Sequence, residues 1–212
     1  MRTQLLHRRT PLLYCNPSLS ISTITEFSSY VMKKNIFRFF VAAFALMLMV
    51  GTATAQERGD DSKQKSKNAE ATGTIGNANI RVTYGAPHVN GRTVFGELEK
   101  WGKVWRAGAN EATTVTFSED VKVNGEALAA GTYSFFLIPQ EKGAWTAIFN
   151  SVPNQWGAYD HDASKDVLRV DAKPSKADNQ ETLMYSVESK GDKGMLNLHW
   201  ATTKVSVMIA AN

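Results

Sequence analysis

Residues 113–125 read Thr-Thr-Val-Thr-Phe-Ser-Glu-Asp-Val-Lys-Val-Asn-Gly, and this stretch decides the fold. Val115 and Phe117 alternate with threonines, and β-branched and aromatic residues that alternate in this way are typical of strands. Asn124 and Gly125 follow as a dipeptide that favours a two-residue hairpin turn, because both central positions of that turn need a positive φ. The stretch therefore predicts antiparallel strands joined by a tight turn.

Runs of the same kind recur on both sides of this stretch. Most of them begin 8 to 17 residues after the run before, and polar turn residues separate them, a spacing that is typical of all-β domains. We therefore predict an all-β fold, an antiparallel β-sandwich that is either jelly-roll-like or a distorted barrel. The further runs lie at 80–84, 132–138, 144–149, 167–172, 183–188, 195–200 and 204–209.

One segment has helical rather than strand periodicity. In residues 94–102, Phe95, Leu98 and Trp101 fall at the spacing of one helix face. This pattern predicts one short helix within a loop of the β domain.

The first 55 residues have the composition of a secretory leader. From Met32, two lysines and Arg38 precede a wholly apolar run at 39–50, and Ala53-Thr54-Ala55 offers small residues to a signal peptidase. The run is too short for a spanning helix, which needs about 20 apolar residues. We expect cleavage near Ala55, a periplasmic or secreted protein, and no stable membrane insertion after cleavage.

The domain plan follows from these boundaries. Residues 1–31 precede a complete signal and are assigned to a start-site error or a disordered extension, and residues 32–55 form the signal peptide. Residues 56–70 are polar and charged, with too little apolar surface to fold, and predict a disordered tether. Residues 71–212 form a single β-sandwich domain.

The charge balance excludes one class of partner. The chain has 24 Lys and Arg against 20 Asp and Glu, but the region after Ala55 has 18 basic and 19 acidic residues. Nucleic-acid binding needs a surplus of Lys and Arg over phosphate, so we expect no nucleic acid as partner.

Cys15 is the only cysteine and precedes the expected cleavage point. The mature protein is therefore expected to have no disulfide and no thiol nucleophile.

Linked motifs after the leader carry a resemblance to one family. The longest are Tyr-Gly-Ala-Pro-His-Val-Asn-Gly-Arg at 84–92 and Val-Trp-Arg-Ala-Gly-Ala-Asn-Glu-Ala-Thr at 104–113. Shorter ones lie at 94–96, 130–134, 138–139, 145–146, 149–150, 156–159 and 166–170. Over residues 71–209 the chain resembles the bacterial domain of unknown function 2911. The resemblance implies an exported protein of Bacteroidetes-type bacteria and this fold, and it implies no assigned chemistry.

The densest cluster of candidate site residues lies at 105–113. Arg106 offers a planar fork of donors, Asn110 a donor and an acceptor, and Glu111 a carboxylate. Together these groups can grip a carboxylate, sugar or amide. We therefore predict a non-catalytic binding module for a small polar or carbohydrate-like ligand. The predicted pocket is framed by His88, Arg92, Trp105, Arg106, Asn110 and Glu111, and it is closed by Trp156 and Tyr159.

Three alternatives stay open for the same residues. Arg106 and Glu111 can form a buried ion pair with Asn110 capping a turn, which is a structural role. A periplasmic hydrolase would use Glu111 or His88 as general base and Arg106 to stabilise the developing anion. A structural or envelope-interaction module would have no convergent pocket and would expose an apolar patch.

The acidic segment at 160–166 is a weak candidate for a metal site. Its oxygen-bearing side chains alternate as they do in a loop that wraps Ca²⁺. Lys165, however, stands where such a loop needs its turn glycine, and a strand pattern follows. An ordinary acidic turn is favoured, and we expect no metal and no cofactor. The alternating residues are Asp160, Asp162, Ser164 and Asp166.

Overall fold

A computed structural model describes residues 58–212 of the chain. The predictions for residues 1–31 and 32–55 lie outside these residues. Within 58–212, no helix is long and apolar enough to cross a membrane. Nine strands make up the structure: β1 Lys67–Ile75, β2 Ala78–Ala86, β3 Ala109–Phe117, β4 Val121–Val123, β5 Glu126–Leu128, β6 Gly131–Ile138, β7 Trp145–Asn150, β8 Asp166–Lys190 and β9 Lys193–Ala211.

The strands form one antiparallel sheet in the order β1-β2-β3-β6-β7-β8-β9-β4-β5. The long strand β8 connects its two halves, because residues 166–172 pair with β7 and residues from Lys173 onward pair with β9. The prediction of an all-β antiparallel fold is confirmed. The sandwich subtype stays a prediction, since hydrogen bonds link all nine strands into one sheet.

The larger of two apolar clusters lies between the two halves of this sheet. Alternate residues of each strand point inward, as the period of two requires, and the main cluster takes Val82 and Phe135 from one half and Leu198 and Val207 from the other. β1 lies against β8 although the two are not paired: a Cβ built on Gly73 would lie 2.6 Å from the Cβ of Val187. The sheet therefore curls over its own apolar face.

The predicted hairpin at Asn124-Gly125 is confirmed. Asn124 has φ 50° and Gly125 has φ 96°, and the turn joins β4 to β5 in an antiparallel pair. The side chain of Asn124 also bonds to β8 and β9, donating to Asp171 O at 2.6 Å and accepting from Met208 N at 2.9 Å. The turn therefore fixes the position of the hairpin beside β9.

The predicted helix at 94–102 is wrong, because this segment is a series of turns. Gly96 has φ 94°, which a helix does not tolerate, and its N–H donates back to Glu99 O at 2.8 Å. The apolar spacing serves tertiary packing instead: the ring of Phe95 stacks on Trp101 and meets Trp145 edge-on. The one helical turn of the described chain is a 3₁₀ turn at Ala163–Lys165.

The polar segment before β1 has a defined place, which differs from the expected disordered tether at 56–70. Lys67–Glu70 is part of β1 and pairs with β2. Ahead of it, the side chain of Arg58 is only 5% exposed. Arg58 donates to the carbonyls of Ala109 and Ala112 in β3, although the segment lacks apolar residues, and the disordered tether stays a prediction for the residues before Lys67.

Candidate functional site

A cleft of about 420 Å³ lies where the connection between β2 and β3 meets β9 and the segment before β1. Its volume is in the range that ligand pockets occupy. Four of the predicted site residues, His88, Arg92, Arg106 and Asn110, line it. The sequence analysis did not identify four other lining residues, Lys65, Ser66, Glu99 and Trp200.

The rim that carries His88 and Arg92 is held to β8 by hydrogen bonds. His88 Nδ1 and Thr182 Oγ1 are 2.8 Å apart, and Asn90 N donates to Glu181 Oε1 at 2.9 Å. Arg92 folds back on its own loop and donates from Nε to Val89 O at 2.9 Å. This rim is therefore built from local turns fixed at two points, which presents Arg92 at the edge of the cleft.

Arg106 is positioned by the backbone that follows it. Ala107 has φ 51°, and its carbonyl accepts from the hydroxyl of Tyr185 at 2.7 Å and from Thr113 Oγ1 at 3.1 Å. The carbonyl of Arg106 itself accepts from Thr113 N at 3.3 Å. These bonds fix the main chain of Arg106 against the core, so the position of its Cα is well defined.

Two donors in the cleft lining have no acceptor. Arg106 Nε and Trp200 Nε1 are buried, and within residues 58–212 neither has a hydrogen-bond partner. Trp105 Nε1 shares this property, and the indole of Trp105 stacks on that of Trp200 with ring centroids 5.8 Å apart. Buried donors without partners are rare in folded proteins because each one costs desolvation free energy. Arg106 and Trp200 belong to the cleft lining, whereas Trp105 lies in the core behind Trp200. The three N–H atoms themselves have essentially no accessible surface, so an acceptor could reach them only if the lining moved.

Glu99 is the acidic group of the cleft. Burial raises its pKa from 4.5 to about 7, and the nearby charges of Arg106 and Arg92 oppose this rise only in part. The sequence analysis did not identify Glu99, because it lies in the segment predicted as a helix and outside the apolar face of that helix. The turn at Gly96 is what brings it to Arg106. A carboxyl with this pKa can either donate or accept a hydrogen bond near neutral pH.

Glu111 has a different partner from the one predicted for the structural alternative. Its Oε2 is 3.0 Å from Arg58 Nη2, and its Oε1 accepts from Gly59 N at 3.3 Å. Arg58 also donates to the carbonyls of Ala109 and Ala112 and to Asn68 Oδ1. Glu111 is therefore committed to anchoring the segment before β1, and it does not line the cleft.

Asn110 takes part in the same anchoring from the other side. It has φ 63°, a conformation that asparagine tolerates better than most residues. Its Nδ2 donates to Ser66 O at 3.0 Å. This bond brings Ser66 and Lys65 to the cleft, so the polar segment before β1 forms one of its walls.

The remaining predicted pocket residues lie elsewhere. Trp105 is buried in the core at 3% exposure, whereas Trp156 and Tyr159 are 52% and 87% exposed and do not line the cleft. Their loop does approach Arg106, because a Cβ built on Gly157 would lie 3.6 Å from Arg106 Nη1. The loop therefore borders the guanidinium without closing the cleft.

The acidic segment forms an internal hydrogen-bond network. Asp162 accepts from Ser164 N at 2.9 Å and begins the 3₁₀ turn. Asp166 accepts from His161 Nε2 at 2.9 Å, Asn150 Nδ2 at 2.8 Å and Arg169 Nε at 2.9 Å. Burial acts to raise the pKa of Asp166, but these hydrogen bonds outweigh it and lower the pKa. Residues 58–212 contain no group of three or more metal-ligating side chains placed to hold an ion.

Comparison with known proteins places the chain in a family without assigning it an activity. No curated protein and no solved structure matches it. A family described as "Protein of unknown function (DUF2911)" matches residues 66–209, which is well over half of the chain. The matched region contains every residue that lines the cleft except Lys65. The chain belongs to this family of proteins of unknown function, DUF2911.

Proposed function

We propose that this protein binds a small polar ligand in the cleft and does not transform it. The observation that carries the proposal is the charge of the cleft lining: Lys65, Arg92 and Arg106 line it, and none of them has an ion-pair partner within 4.0 Å in the described chain.

The arrangement favours binding over hydrolysis. Glu111, one candidate general base, is ion-paired with Arg58 outside the cleft. His88, the other, lines the cleft but shares its Nδ1 with Thr182. A hydrolase needs a base within reach of a water or substrate hydroxyl and a donor aimed at the developing anion. The cleft contains such a donor, Arg106. Its carboxyl group, Glu99, is partly protonated near neutral pH because burial raises its pKa.

We also propose that the protein works outside the cytoplasm, in the periplasm or after secretion. Support comes from the three-part leader at 32–55, which has basic residues, an apolar run and Ala53-Thr54-Ala55. Mass spectrometry of the protein isolated from the cell envelope tests this proposal. We expect a mature chain that begins at Gln56, and a cytoplasmic protein that retains Met32 would contradict it.

Thermal unfolding against a ligand panel tests the binding proposal. The panel contains sugars, sugar acids, organic acids and short peptides, and the proteins are wild type, Arg106→Gln and Arg81→Gln. Arg81 is the matched control, because its exposed guanidinium pairs with Glu70 away from the cleft. A ligand at 100 times its Kd stabilises by about 2.7 kcal/mol, which raises the Tm by several degrees.

We expect this rise in wild type and in Arg81→Gln, and we expect Arg106→Gln to lose it. An unchanged rise in Arg106→Gln would show that the ligand binds at another place and would contradict the proposal. If no compound of the panel shifted the wild-type Tm, binding of small polar ligands would be ruled out for the classes tested.

A further inference from the structure

A second pocket, of about 770 Å³, lies where β8 leaves β7 and continues beside β9. Its volume is larger than that of the cleft and within the range of ligand pockets, and the two share no lining residue. We propose that this pocket binds a short acidic oligosaccharide, with one sugar ring against the indole of Trp101 and its carboxylates near Lys173 and Lys176. The inference does not depend on the proposed function.

Hydrogen bonds fix the main chain on one side of this pocket. Gly102 N donates to Pro139 O at 2.7 Å, which joins the turn at Trp101 to the connection between β6 and β7. Trp145 Nε1 donates to Gln140 O at 3.0 Å and fixes the start of the same connection. The other side is formed by strands, because β8 contributes residues 173–176 and β9 contributes residues 202 and 203.

Trp101 presents an aromatic surface that its neighbours hold in place. Its ring stacks on that of Phe95 with centroids 6.4 Å apart and meets Trp145 edge-on at 6.3 Å. A Cβ built on Gly96 would lie 2.7 Å from Trp101 Nε1. Despite these contacts, Trp101 is 37% exposed and lines the pocket. A side chain that is already fixed loses little conformational entropy when a ligand packs on it.

The groups around Trp101 suit a sugar ring. Such a ring has C–H groups on its faces, which pack on an indole, and hydroxyls at its edge, which need donors and acceptors. Gln140, Thr202 and Thr203 line the pocket, and their amide and hydroxyl groups both donate and accept. Trp101 is the one large apolar side chain of this lining that is exposed. A ligand with several large apolar groups therefore finds too few apolar contacts here.

The charge of the lining favours an acidic sugar over a neutral one. Lys173 and Lys176 are exposed, and within residues 58–212 neither ammonium lies within 4.0 Å of a carboxylate. Glu141 is the one acid that the described chain contributes to the lining, so positive charge is in excess. Complementary charge selects between ligands of similar shape. The pocket should therefore prefer sugar rings that carry carboxylates.

Calorimetric titration with two matched trisaccharides tests the ligand class. Trigalacturonate is compared with its methyl ester, which keeps the rings and hydroxyls but loses the negative charges. We expect trigalacturonate to bind at least about tenfold more tightly than the ester at low salt. The difference should shrink in 1 M salt, where the Debye length is about 3 Å.

Substitution of the tryptophan tests the place of binding. Trp101→Ala is expected to weaken trigalacturonate binding at least about tenfold. Trp156→Ala is the matched control, because Trp156 is 52% exposed and does not line the pocket, and it should leave the affinity unchanged. Thermal unfolding of each variant checks that it folds, since Trp101 also packs on Phe95.

Substitution of the lysines tests the charge independently of the aromatic packing. A double variant, Lys173→Gln with Lys176→Gln, changes two exposed side chains, so its fold should be retained. We expect it to bind trigalacturonate and the ester with equal affinity. This variant carries the test if Trp101→Ala does not fold.

The contrary outcomes separate this inference from the proposed function. Absence of trigalacturonate binding by folded wild-type protein would overturn it, and so would equal affinity of the wild type for trigalacturonate and the ester. Binding that survives in Trp101→Ala but is lost in Arg106→Gln would place the ligand in the cleft. That result would overturn the second pocket and support the proposed function.

Discussion

At the scale of single residues, Arg58 and Arg106 show two uses of a buried guanidinium near the start of β3. Arg58 is saturated by Glu111, by Asn68 and by backbone carbonyls. Arg106 keeps a buried Nε–H with no acceptor. Burial lowers the pKa of Arg58 and Glu111 opposes that effect, so this pair has a structural role. We therefore assign anchoring to Arg58, and Arg106 is the residue on which the proposed ligand binding is tested.

The Arg58–Glu111 pair predicts a loss of stability when its charge is removed. Glu111→Gln leaves a guanidinium of 5% exposure without a counter-charge, and we expect the free energy of unfolding to fall by about 1 to 3 kcal/mol. Denaturant unfolding measures this. The control is Glu70→Gln, since Glu70 pairs with Arg81 on the surface and exposed pairs contribute at most about 1 kcal/mol. Equal effects of the two substitutions would contradict the anchoring role.

Glu99 predicts a pH dependence of stability. Its pKa is 4.5 as an isolated group and about 7 in the folded chain because of burial, so the folded state binds its proton more tightly than the unfolded state. The contribution of this group to stability therefore falls as the pH rises from about 4.5 to about 7, and it is constant above that. Removing the titration should consequently stabilise the protein at pH 8.

We expect Glu99→Gln to raise the free energy of unfolding at pH 8 by on the order of 2 kcal/mol, after allowance for its partial exposure. At pH 4 the variant and wild type should have equal stability. Urea unfolding across this pH range measures the difference, with exposed Glu97→Gln as control. A variant that loses stability at pH 8 would show that Glu99 is a paired carboxylate instead.

Sequence reasoning identified part of the cleft at this scale. His88, Arg92, Arg106 and Asn110 could be predicted because polar groups cluster with glycines in one connection. Trp200 could not be predicted, because it shares a strand face with Leu196 and Leu198, and this pattern predicts a core position. Its unsatisfied N–H becomes visible only when β9 is placed beside the cleft.

At the scale of elements, the close approach of β1 to β8 shapes the molecule. Gly73 lies in β1 where any side chain would meet Val187 of β8. Glycine weakens a strand interior, and it is often found where another backbone comes close. The glycine at this position therefore lets β1 pack over the long strand that joins the two halves of the sheet.

Gly73→Ala is expected to destabilise the protein by about 1 to 3 kcal/mol, the usual cost of an overpacked core position. The added Cβ would lie 2.6 Å from Val187 Cβ and 2.7 Å from its Cγ1. Thr72→Ala, at the exposed neighbouring position, is the control and should change stability by less than about 1 kcal/mol. Thermal unfolding measures both. A neutral Gly73→Ala would mean that β1 does not lie against β8 at this point.

The strands were predictable from sequence and the turns only in part. Alternation and β-branching identified β3, β6, β7 and the Asn124-Gly125 hairpin. The helix prediction at 94–102 was wrong, because Phe95 and Trp101 have the spacing of a helix face but lie in a series of turns, where their rings stack on each other. Local periodicity does not reveal such packing, which depends on Trp145 in a distant strand.

At the scale of the whole molecule, the cleft is assembled from three separate parts of the chain. The segment before β1 brings Lys65, the β2–β3 connection brings Arg92, Glu99 and Arg106, and β9 brings Trp200. Their convergence follows from the curl of the sheet and from the anchor at Arg58. Composition and motif spacing cannot predict this assembly, since it joins positions 65 and 200.

The central claim is that a small polar ligand binds in this cleft, beside Arg106 and Trp200. The indole N–H signals of the five tryptophans in a nitrogen-15 NMR spectrum, recorded during titration with the compound of the panel that raises the Tm most, test it most directly. We predict a saturable shift of the Trp200 signal, while that of Trp145, whose Nε1 already donates to Gln140 O at 3.0 Å, stays in place. A titration that shows binding but leaves the Trp200 signal unmoved would contradict the account.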